Sequence, residues 1–337
     1  MSTLLNILTS ISVIIFLNFF FLKKNFLLDK KKLFHKSFTS KDPVPLTGGF
    51  VIILCIFMLN NIYWIFFFLI FFIGILSDLL VIKNAIKKFL IQFLIISVYL
   101  YFSEIRILNT KINFLDYLLR YEIFSYLFIA TCLLILMNGS NFMDGVNTLV
   151  CGYYIIVLLF IIYLGEKNNF VYNFDEYYFL LINLIVVFLF NSLSKIYLGD
   201  AGSFLLSFII GHYLIELFNN NLNSSTPIPS LFIILLLWYP AFENLFSILR
   251  KIINKKSPVK PDNLHLHQLL FLFLKKKKQL NTNFLNTLTG CIINIFNIFV
   301  FIIGSQFYYN VKFLFILICF NIFLYINAYF YFKAKLN

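Results

Sequence analysis

Long apolar runs separated by short polar segments recur along the whole chain, and this pattern constrains the fold more than any other feature. A helix needs about 20 apolar residues to cross a bilayer. Candidate spans lie near residues 4–22, 86–103, 121–138, 147–164, 177–193, 202–218, 228–249, 284–304 and 310–332. The chain is 61% hydrophobic and only 12% charged, which leaves too little polar surface for a soluble domain. The sequence therefore predicts an all-α polytopic membrane protein, with residues 1–337 forming a single integral-membrane domain.

Residues 45–77 form an apolar stretch that is too long for one span. As a single helix they would extend roughly 50 Å, well beyond the hydrocarbon core. The segment "LNNIY" at 59–63 is typical of a tight turn. We therefore predict two short spans, near 48–59 and 62–77, and about eleven transmembrane helices in all. The first run has no basic residue before it and no small-residue cleavage site after it, so we interpret it as an uncleaved span.

The distribution of positive charge supports this threading and orients it. With the N-terminus outside, the loops on the cytoplasmic face contain 22 of the 27 lysines and arginines, and the C-terminus is also cytoplasmic. A single span at 45–77 would move the basic clusters at 83–88 and 250–278 to the outside. The net charge of +13 comes from short clusters at the ends of apolar runs, a pattern that indicates membrane orientation and lipid contact rather than nucleic acid.

All the polar motifs fall on the predicted cytoplasmic face. They are "DPVPLTGG" (42–49), "LSD" (76–78), "NGSNFMDGVN" (138–147), "NSLSKIYLGDAGS" (191–203) and "SPVKPDNLHLHQ" (257–268). We predict that three of them open helices: Thr47-Gly48-Gly49, Asp144-Gly145 and Gly199 to Ser203. A helix N-terminus presents unpaired N–H groups that suit phosphate. Simple helix capping by Gly, Asp and Ser is the alternative.

Three aspartates stand in or beside these motifs, and their chemistry suits a metal-bound phosphate. Asp78, Asp144 and Asp200 are hard oxygen ligands of the kind that Mg²⁺ prefers. Such an ion would neutralise a diphosphate and stabilise a departing phosphoryl group. Several lysines close in sequence are candidates for the other phosphate oxygens, namely Lys83, Lys87, Lys88 and Lys195.

His265 and His267 form an alternating pair in the long final loop. Alternate residues share a face only in an extended segment, so a helix here would separate them. Phosphate binding and proton transfer are the roles that fit the pair.

In this order the motifs resemble those of the polyprenyl-phosphate N-acetylhexosamine-1-phosphate transferase family, which initiates common antigen, O-antigen and peptidoglycan precursors. The resemblance covers about residues 29–268, with two further predicted transmembrane helices beyond it. It implies a bacterial plasma-membrane enzyme with a cytoplasmic site and Mg²⁺, or Mn²⁺, as cofactor. It further implies transfer of a sugar 1-phosphate from a UDP-N-acetylhexosamine to a polyprenyl phosphate, with release of UMP.

Matches to the family motifs imply the site residues. The catalytic set is Asp78, Asp144, Asp200, His265 and His267, with Asp200 and Asp78 as metal ligands. The substrate-binding set is His35, Gly48, Gly49, Lys87, Asn138, Asn141, Asn147, Asn191, Gly202, Ser203 and Arg250. The HxH form of the histidine motif is closer to the antigen-initiating branch than to the peptidoglycan branch.

The chain also departs from the family pattern. Ser77 stands where the first aspartate of a pair is usual, Asn147 replaces an aspartate, and Glu243 replaces an aspartate. These changes leave an inactive membrane scaffold open as an alternative. A transporter is a further alternative, although few charged groups lie within the predicted spans. The sequence leaves the sugar, the polyprenyl length and the oligomeric state open, with a homodimer among the alternatives.

Overall fold

A computed structural model describes residues 3–29, 43–59, 62–107, 110–170, 174–222, 227–258, 262–277 and 280–336. These residues form thirteen α-helices. The helices are α1 Thr3–Lys24, α2 Gly48–Met58, α3 Trp64–Asp78, α4 Ala85–Ser103, α5 Asn113–Leu119, α6 Glu122–Met143, α7 Leu149–Asn168, α8 Phe174–Ser192, α9 Gly199–Asn220, α10 Ser230–Ile253, α11 Leu266–Lys277, α12 Thr282–Gln306 and α13 Val311–Leu336.

The predicted helical membrane fold is confirmed. Among the described residues, nine helices are long and apolar enough to cross a bilayer, and α2 and α3 are shorter apolar helices. Together they match the eleven predicted spans one for one. The two remaining helices, α5 and α11, lie in loops between spans. The inside–outside orientation stays a prediction.

The break within residues 45–77 is also confirmed. Helix α2 ends at Met58, where the Leu59 N–H bonds back to the Cys55 carbonyl, and α3 begins at Trp64. The two short helices run antiparallel, so the start of α2 and the end of α3 lie at the same end of the bundle. At this end of the bundle, Asp78 at the end of α3 contacts the start of α9. We call it the motif end.

Helix α9 is the centre of the bundle. Its apolar window is 89% buried, against 22% for α1 at the periphery. It packs against α2, α3 and α6. Glycines allow the closest of these approaches: a Cβ added to Gly74 of α3 would lie 2.2 Å from the Ala201 Cα. The sequence after Gly199 is therefore fixed at the middle of the motif end.

One predicted helix start is wrong. Asp144 and Gly145 do not open a helix, because α6 continues to Met143 and α7 begins only at Leu149. Within the asparagine-rich end of α6, the Asn138 side chain donates to the Leu134 carbonyl of the same helix. Gly139 also lets Pro240 of α10 approach so closely that a Cβ would lie 1.9 Å from its carbonyl oxygen. Asp144 and Gly145 therefore form the turn between α6 and α7.

Candidate functional site

Asp200 lies in the first turn of α9, at the centre of the polar contacts of the motif end. We call Asp200 and the side chains that contact it the Asp200 hub. Asp200 Oδ1 accepts from Asn141 Nδ2 at 2.8 Å, and its Oδ2 accepts from Ser77 Oγ at 2.6 Å. Lys88 Nζ lies 3.1 Å from Oδ2 in an ion pair. Only 20% of the Asp200 side chain is exposed. Three different helices thus supply donors to a carboxylate that still reaches the surface.

Asp78 is placed to hold the start of α9. Its Oδ1 accepts from the Asp200 N–H at 3.0 Å and its Oδ2 from the Ala201 N–H at 3.1 Å. These N–H groups belong to the unpaired first turn of the helix, where a carboxylate is favourable. Gly199, with φ of +67°, provides the turn into the helix, and a Cβ there would lie 2.7 Å from Asp78 Oδ2. The contacts therefore give Asp78 a positioning role, and its role as a metal ligand stays a prediction.

The lysine that faces Asp200 is Lys88 rather than Lys87. Lys87 is exposed, whereas Lys88 also lies over the Phe204 ring at 5.0 Å. Lys88 lies one helical turn before Gln92, which is fully buried, so the two side chains lie on the same face of α4. Sequence reasoning named both lysines as phosphate candidates but assigned the substrate-binding role to Lys87.

A small open cleft lies beside the start of α9. Its polar lining comes from Asp29, Asp144, Asn147 and Asn191, and Gly199 closes one side. Asp144, Asn147 and Asn191, all predicted site residues, thus line one cleft next to the Asp200 hub, whereas Asn138 and Asn141 do not line it. Asp29, which is in neither predicted set of site residues, belongs to the same lining.

Two asparagines of the cleft are tied into the fold. Asn191 Oδ1 accepts from the Thr148 N–H at 2.6 Å, and its Nδ2 donates to the Ile196 carbonyl at 2.9 Å. Asn147 Nδ2 donates to Ser194 Oγ at 2.7 Å, and its own N–H donates to Asn286 Oδ1 of α12. Both side chains therefore brace the cleft wall, and their contact with a substrate stays a prediction.

The motif glycines serve a close contact between helices. A Cβ added to Gly49 of α2 would lie 2.8 Å from the Gly202 nitrogen of α9. The Gly48 N–H donates to the Tyr197 carbonyl at 3.1 Å. Ser203 is fully buried and accepts from Asn141 Nδ2 at 3.1 Å. These four residues hold the helices in register, and substrate contact by them is not tested.

The final loop is attached to α10 by a histidine–carboxylate hydrogen bond and by one ion pair. His265 Nδ1 lies 2.8 Å from Glu243 Oε1. Arg250 binds Asp262 in a bidentate manner, at 2.7 and 3.1 Å. Burial alone would raise the pKa of Asp262, but the hydrogen bonds and charge of Arg250 outweigh it and hold the pKa below its usual value. The Arg250 guanidinium, predicted to bind substrate, is thus bound to Asp262.

The two histidines remain together although α11 begins between them. His265 precedes the helix and His267 lies in its first turn, yet their rings stack at 5.7 Å with an angle of 14°. The expectation that a helix would separate them is therefore wrong. His267 is fully buried, and burial lowers its pKa to about 3, so the ring is neutral near pH 7. A Cβ added to Gly145 would lie 2.6 Å from His267 Nε2, which puts the ring against the cleft wall.

The oxygen-rich set around Asp200 fits Mg²⁺. Within the described parts of the chain, no group of three or more His, Cys, Asp or Glu side chains is arranged to hold a metal. Mg²⁺ does not require such a group, since it often takes one or two carboxylates and completes its shell with water and phosphate. Asp200 supplies one hard carboxylate, with the Ser77 and Ser203 hydroxyls nearby. His35, which was predicted to bind substrate, lies outside the described residues.

Comparison with known proteins gives a consistent family. The model of glycosyl transferase family 4 matches residues 60–218. The chain is 27% identical over 246 residues to an undecaprenyl-phosphate alpha-N-acetylglucosaminyl 1-phosphate transferase of Thermotoga maritima, covering 70% of this chain and 71% of the relative. It is 29% identical over 216 residues to a probable undecaprenyl-phosphate N-acetylglucosaminyl 1-phosphate transferase of Bacillus subtilis, covering 61% and 56%.

A relative from the second branch is also similar. The chain is 33% identical over 207 residues to a phospho-N-acetylmuramoyl-pentapeptide-transferase of Petrotoga mobilis, covering 53% of this chain and 63% of the relative. The match spans less than two thirds of this relative and of the Bacillus protein. Both branches predicted from the motifs are thus represented among the similar proteins.

Proposed function

We propose that this chain, a member of the polyprenyl-phosphate N-acetylhexosamine-1-phosphate transferase family, joins N-acetylhexosamine 1-phosphate to a polyprenyl phosphate. The donor is a UDP-N-acetylhexosamine and the second product is UMP. Undecaprenyl phosphate is the acceptor named for two of the similar proteins. The protein works in the bacterial plasma membrane with its motif end toward the cytoplasm, where a soluble nucleotide and a membrane lipid meet.

The observation that carries this proposal is the Asp200 hub beside the polar cleft. The hub combines one carboxylate and one ammonium group, so it offers partners for both a cation and a phosphate. The cleft adds carboxylates and amides suited to a nucleotide. A diphosphate with a divalent cation is the ligand that such a combination recognises.

The reaction is a phosphoryl transfer. An oxygen of the lipid phosphate attacks the β-phosphorus of the UDP-sugar and forms a new P–O bond. The bond from the β-phosphorus to the bridging oxygen breaks, and that oxygen leaves with the electron pair on UMP. A phosphate monoester is largely ionised near neutral pH, so the attacking oxygen does not depend on a protein base. Positioning and charge stabilisation then account for most of the catalysis.

The residues of the hub take the positioning roles. Mg²⁺, when bound, neutralises the diphosphate and stabilises the leaving UMP. Asp200 would hold that ion, and Asp78 would keep Asp200 in place through the start of α9. Lys88 is the ammonium group placed to bind a phosphate oxygen. Asp144 would face the nucleotide in the cleft, and His265 and His267 would border it from the final loop.

The loss of the first family aspartate does not favour an inactive scaffold. Ser77 Oγ still donates to Asp200 at 2.6 Å, and Asn141, Lys88 and Asp78 retain their contacts with α9. The hub is therefore organised without a second carboxylate at position 77. We regard the active enzyme as the function that this arrangement supports.

The test is UMP release from purified protein in liposomes with undecaprenyl phosphate, Mg²⁺ or Mn²⁺, and a panel of UDP-N-acetylhexosamines. UMP formed only when lipid phosphate and the divalent cation are both present supports the proposal and identifies the sugar. Omission of each component in turn supplies the controls. Absence of UMP with every donor, from protein with a cooperative thermal transition, would contradict it.

A further inference from the structure

Glu243 is a fully buried carboxylate that has a donor on each oxygen. It lies on α10 and is 1% exposed. His265 Nδ1 lies 2.8 Å from Oε1, and the Tyr325 hydroxyl donates to Oε2 at 2.8 Å. A buried carboxylate is costly unless both oxygens are satisfied. Tyr325 on the last helix therefore completes a pair that otherwise joins α10 to the final loop.

The pair determines which nitrogen of His265 carries a proton. An ionised carboxylate only accepts hydrogen bonds, so Nδ1 of His265 is the donor. In the neutral ring and in the imidazolium alike, Nδ1 then keeps its proton and Nε2 is the nitrogen left to meet a ligand. Nε2 lies 3.7 Å from Asp262 Oδ1, which is too long for a hydrogen bond. The contact between Nδ1 and Glu243 thus fixes the orientation of the His265 ring.

His265 in turn contacts the elements that form the cleft. Its ring lies 5.1 Å from that of Phe142, two residues before Asp144, and it stacks on His267. His267 borders Gly145 of the cleft wall. A change in the tilt or tautomer of His265 would therefore reach the cleft through direct contacts.

Helix α13 presents a second tyrosine to the same region. Tyr329 lies one helical turn after Tyr325, and its ring is 5.8 Å from the Arg250 guanidinium that binds Asp262. One face of α13 thus contacts both of the pairs that fasten the final loop. This helix lies beyond residues 60–218, to which the family model extends.

The length of Glu243 explains why a distant hydroxyl is needed. Asp is usual at this position in the family that the sequence resembles, and Glu adds one methylene. The longer side chain lets one carboxylate reach His265 and Tyr325 together, but it also adds a rotatable bond that must be fixed. The Tyr325 hydroxyl fixes it.

We propose that Tyr325 is a positioning residue that acts through Glu243 to hold His265 with Nδ1 protonated and Nε2 directed to the substrate phosphates. The part that concerns substrate rests on the proposed function. The part that concerns His265 does not, and it can be measured in the protein alone.

The first experiment compares Tyr325→Phe with Tyr331→Phe in the UMP-release assay. Tyr331 is an exposed tyrosine of the same helix, so its variant removes a hydroxyl and keeps the ring. We expect Tyr325→Phe to lower kcat by about tenfold, the scale of one lost hydrogen bond to a charged group, with a smaller change in KM. Tyr331→Phe should match the wild type. Equal activity of Tyr325→Phe and the wild type would overturn the proposal.

A double-mutant cycle separates positioning from general destabilisation. If Tyr325 acts through His265, then Tyr325→Phe should have little further effect on kcat in a His265→Gln background. A similar loss in both backgrounds would mean that Tyr325 only supports the fold, which would overturn the proposal.

Nitrogen-15 NMR of histidine-labelled protein in liposomes provides a readout without activity. The chain has four histidines, and His265→Gln assigns the relevant signals. We expect Nδ1 of His265 to be protonated in the wild type, and the Nε2–H tautomer to appear in Tyr325→Phe. Glu243→Asp, which is too short to reach both donors, should give the same mixture. Unchanged spectra in both variants would overturn the proposal. The expected spectra from a protein that releases no UMP would contradict only the proposed function.

Discussion

Asp200 and Glu243 both anchor polar networks at the motif end, but they differ in what surrounds them. Asp200 is part-exposed, and its partners come from α3, α4 and α6. Glu243 is fully buried, and its partners come from the final loop and α13. Each carboxylate has a donor on both oxygens, but Asp200 is 20% exposed and can be reached by a ligand, whereas Glu243 is 1% exposed and enclosed by its partners.

This difference indicates that Asp200 is the carboxylate that receives substrate and that Glu243 is the one that holds neighbouring side chains in position. A partly solvated carboxylate next to an ammonium group can exchange partners when a cation and phosphates arrive. A buried carboxylate with both oxygens bonded stays where it is, and removing one partner is costly. We therefore expect substitutions at the Asp200 network to have the larger effect on turnover.

The largest effect is expected at Asp200. Asp200→Asn keeps the shape but removes the charge that would hold the cation, so kcat should fall at least about hundredfold. Asp175→Asn, which changes an exposed carboxylate in the first turn of α8, should retain normal turnover. Initial rates of UMP release at saturating Mg²⁺ measure both. An Asp200→Asn enzyme with wild-type kcat would remove Asp200 from the account.

A smaller effect should distinguish the two adjacent lysines. Lys88→Met removes the ammonium group from the hub, and we expect kcat/KM to fall by about 10- to 100-fold, as for other charge-assisted phosphate contacts. Lys87→Met alters an exposed side chain and should change kcat/KM by less than about twofold. Steady-state kinetics with varied UDP-sugar check the pair. The opposite ranking would show that the predicted Lys87, and not Lys88, meets the substrate.

Ser77→Asp tests the Asp200 network by adding a negative charge instead of removing one. A second carboxylate beside Asp200 would make the hub more negative and more attractive to a divalent cation. The Mg²⁺ concentration that gives half-maximal UMP release should therefore fall, by several-fold. Ser77→Ala, which adds no charge, is the control and should not lower it. A raised Mg²⁺ requirement in Ser77→Asp would argue against a cation at Asp200.

The smallest effect concerns the pH dependence of stability at the buried network. The pKa of His267 is about 3 in the folded protein because of burial and near 6.5 in an unfolded chain. Between these values the unfolded chain binds the extra proton, so the free energy of unfolding falls as pH falls. From pH 7 to 5 this one group should contribute about 2 kcal/mol of that loss.

Thermal unfolding in detergent at pH 7 and pH 5 checks this expectation. The midpoint of the wild type should fall more between the two pH values than that of His267→Gln, which carries no titrating group at this position. Equal decreases in the two proteins would mean that His267 is not desolvated in the folded state.

The fold was predictable because hydrophobic runs and breaks report directly on helices in a bilayer. The split at residues 59–63 and the location of Asp200 in the first turn of a helix both followed from local sequence. Local sequence did not show that α6 continues past Asn138 to Met143, nor that Gly139 lies against Pro240, a residue far along the chain.

The partners of the site residues were harder to predict than the residues themselves. Which of Lys87 and Lys88 faces Asp200 depends on the rotation of α4 about its own axis. Hydropathy alone does not fix that rotation. The bonds from Asn191 to the backbone and from Glu243 to Tyr325 join segments that are distant in sequence. No motif spans such pairs, so only the packed structure reveals that Asn191 is braced and that α13 takes part.

The most direct test of the central claim is to follow the β-phosphorus. Wild-type protein in liposomes would be incubated with undecaprenyl phosphate, Mg²⁺ and the active UDP-sugar, labelled in one sample at the β-phosphorus and in another in the sugar. We expect both labels to enter the lipid fraction in equal amounts and UMP to appear with them. Sugar label in the lipid with the β-phosphorus retained in released UDP would contradict it, because the protein would then transfer the sugar alone.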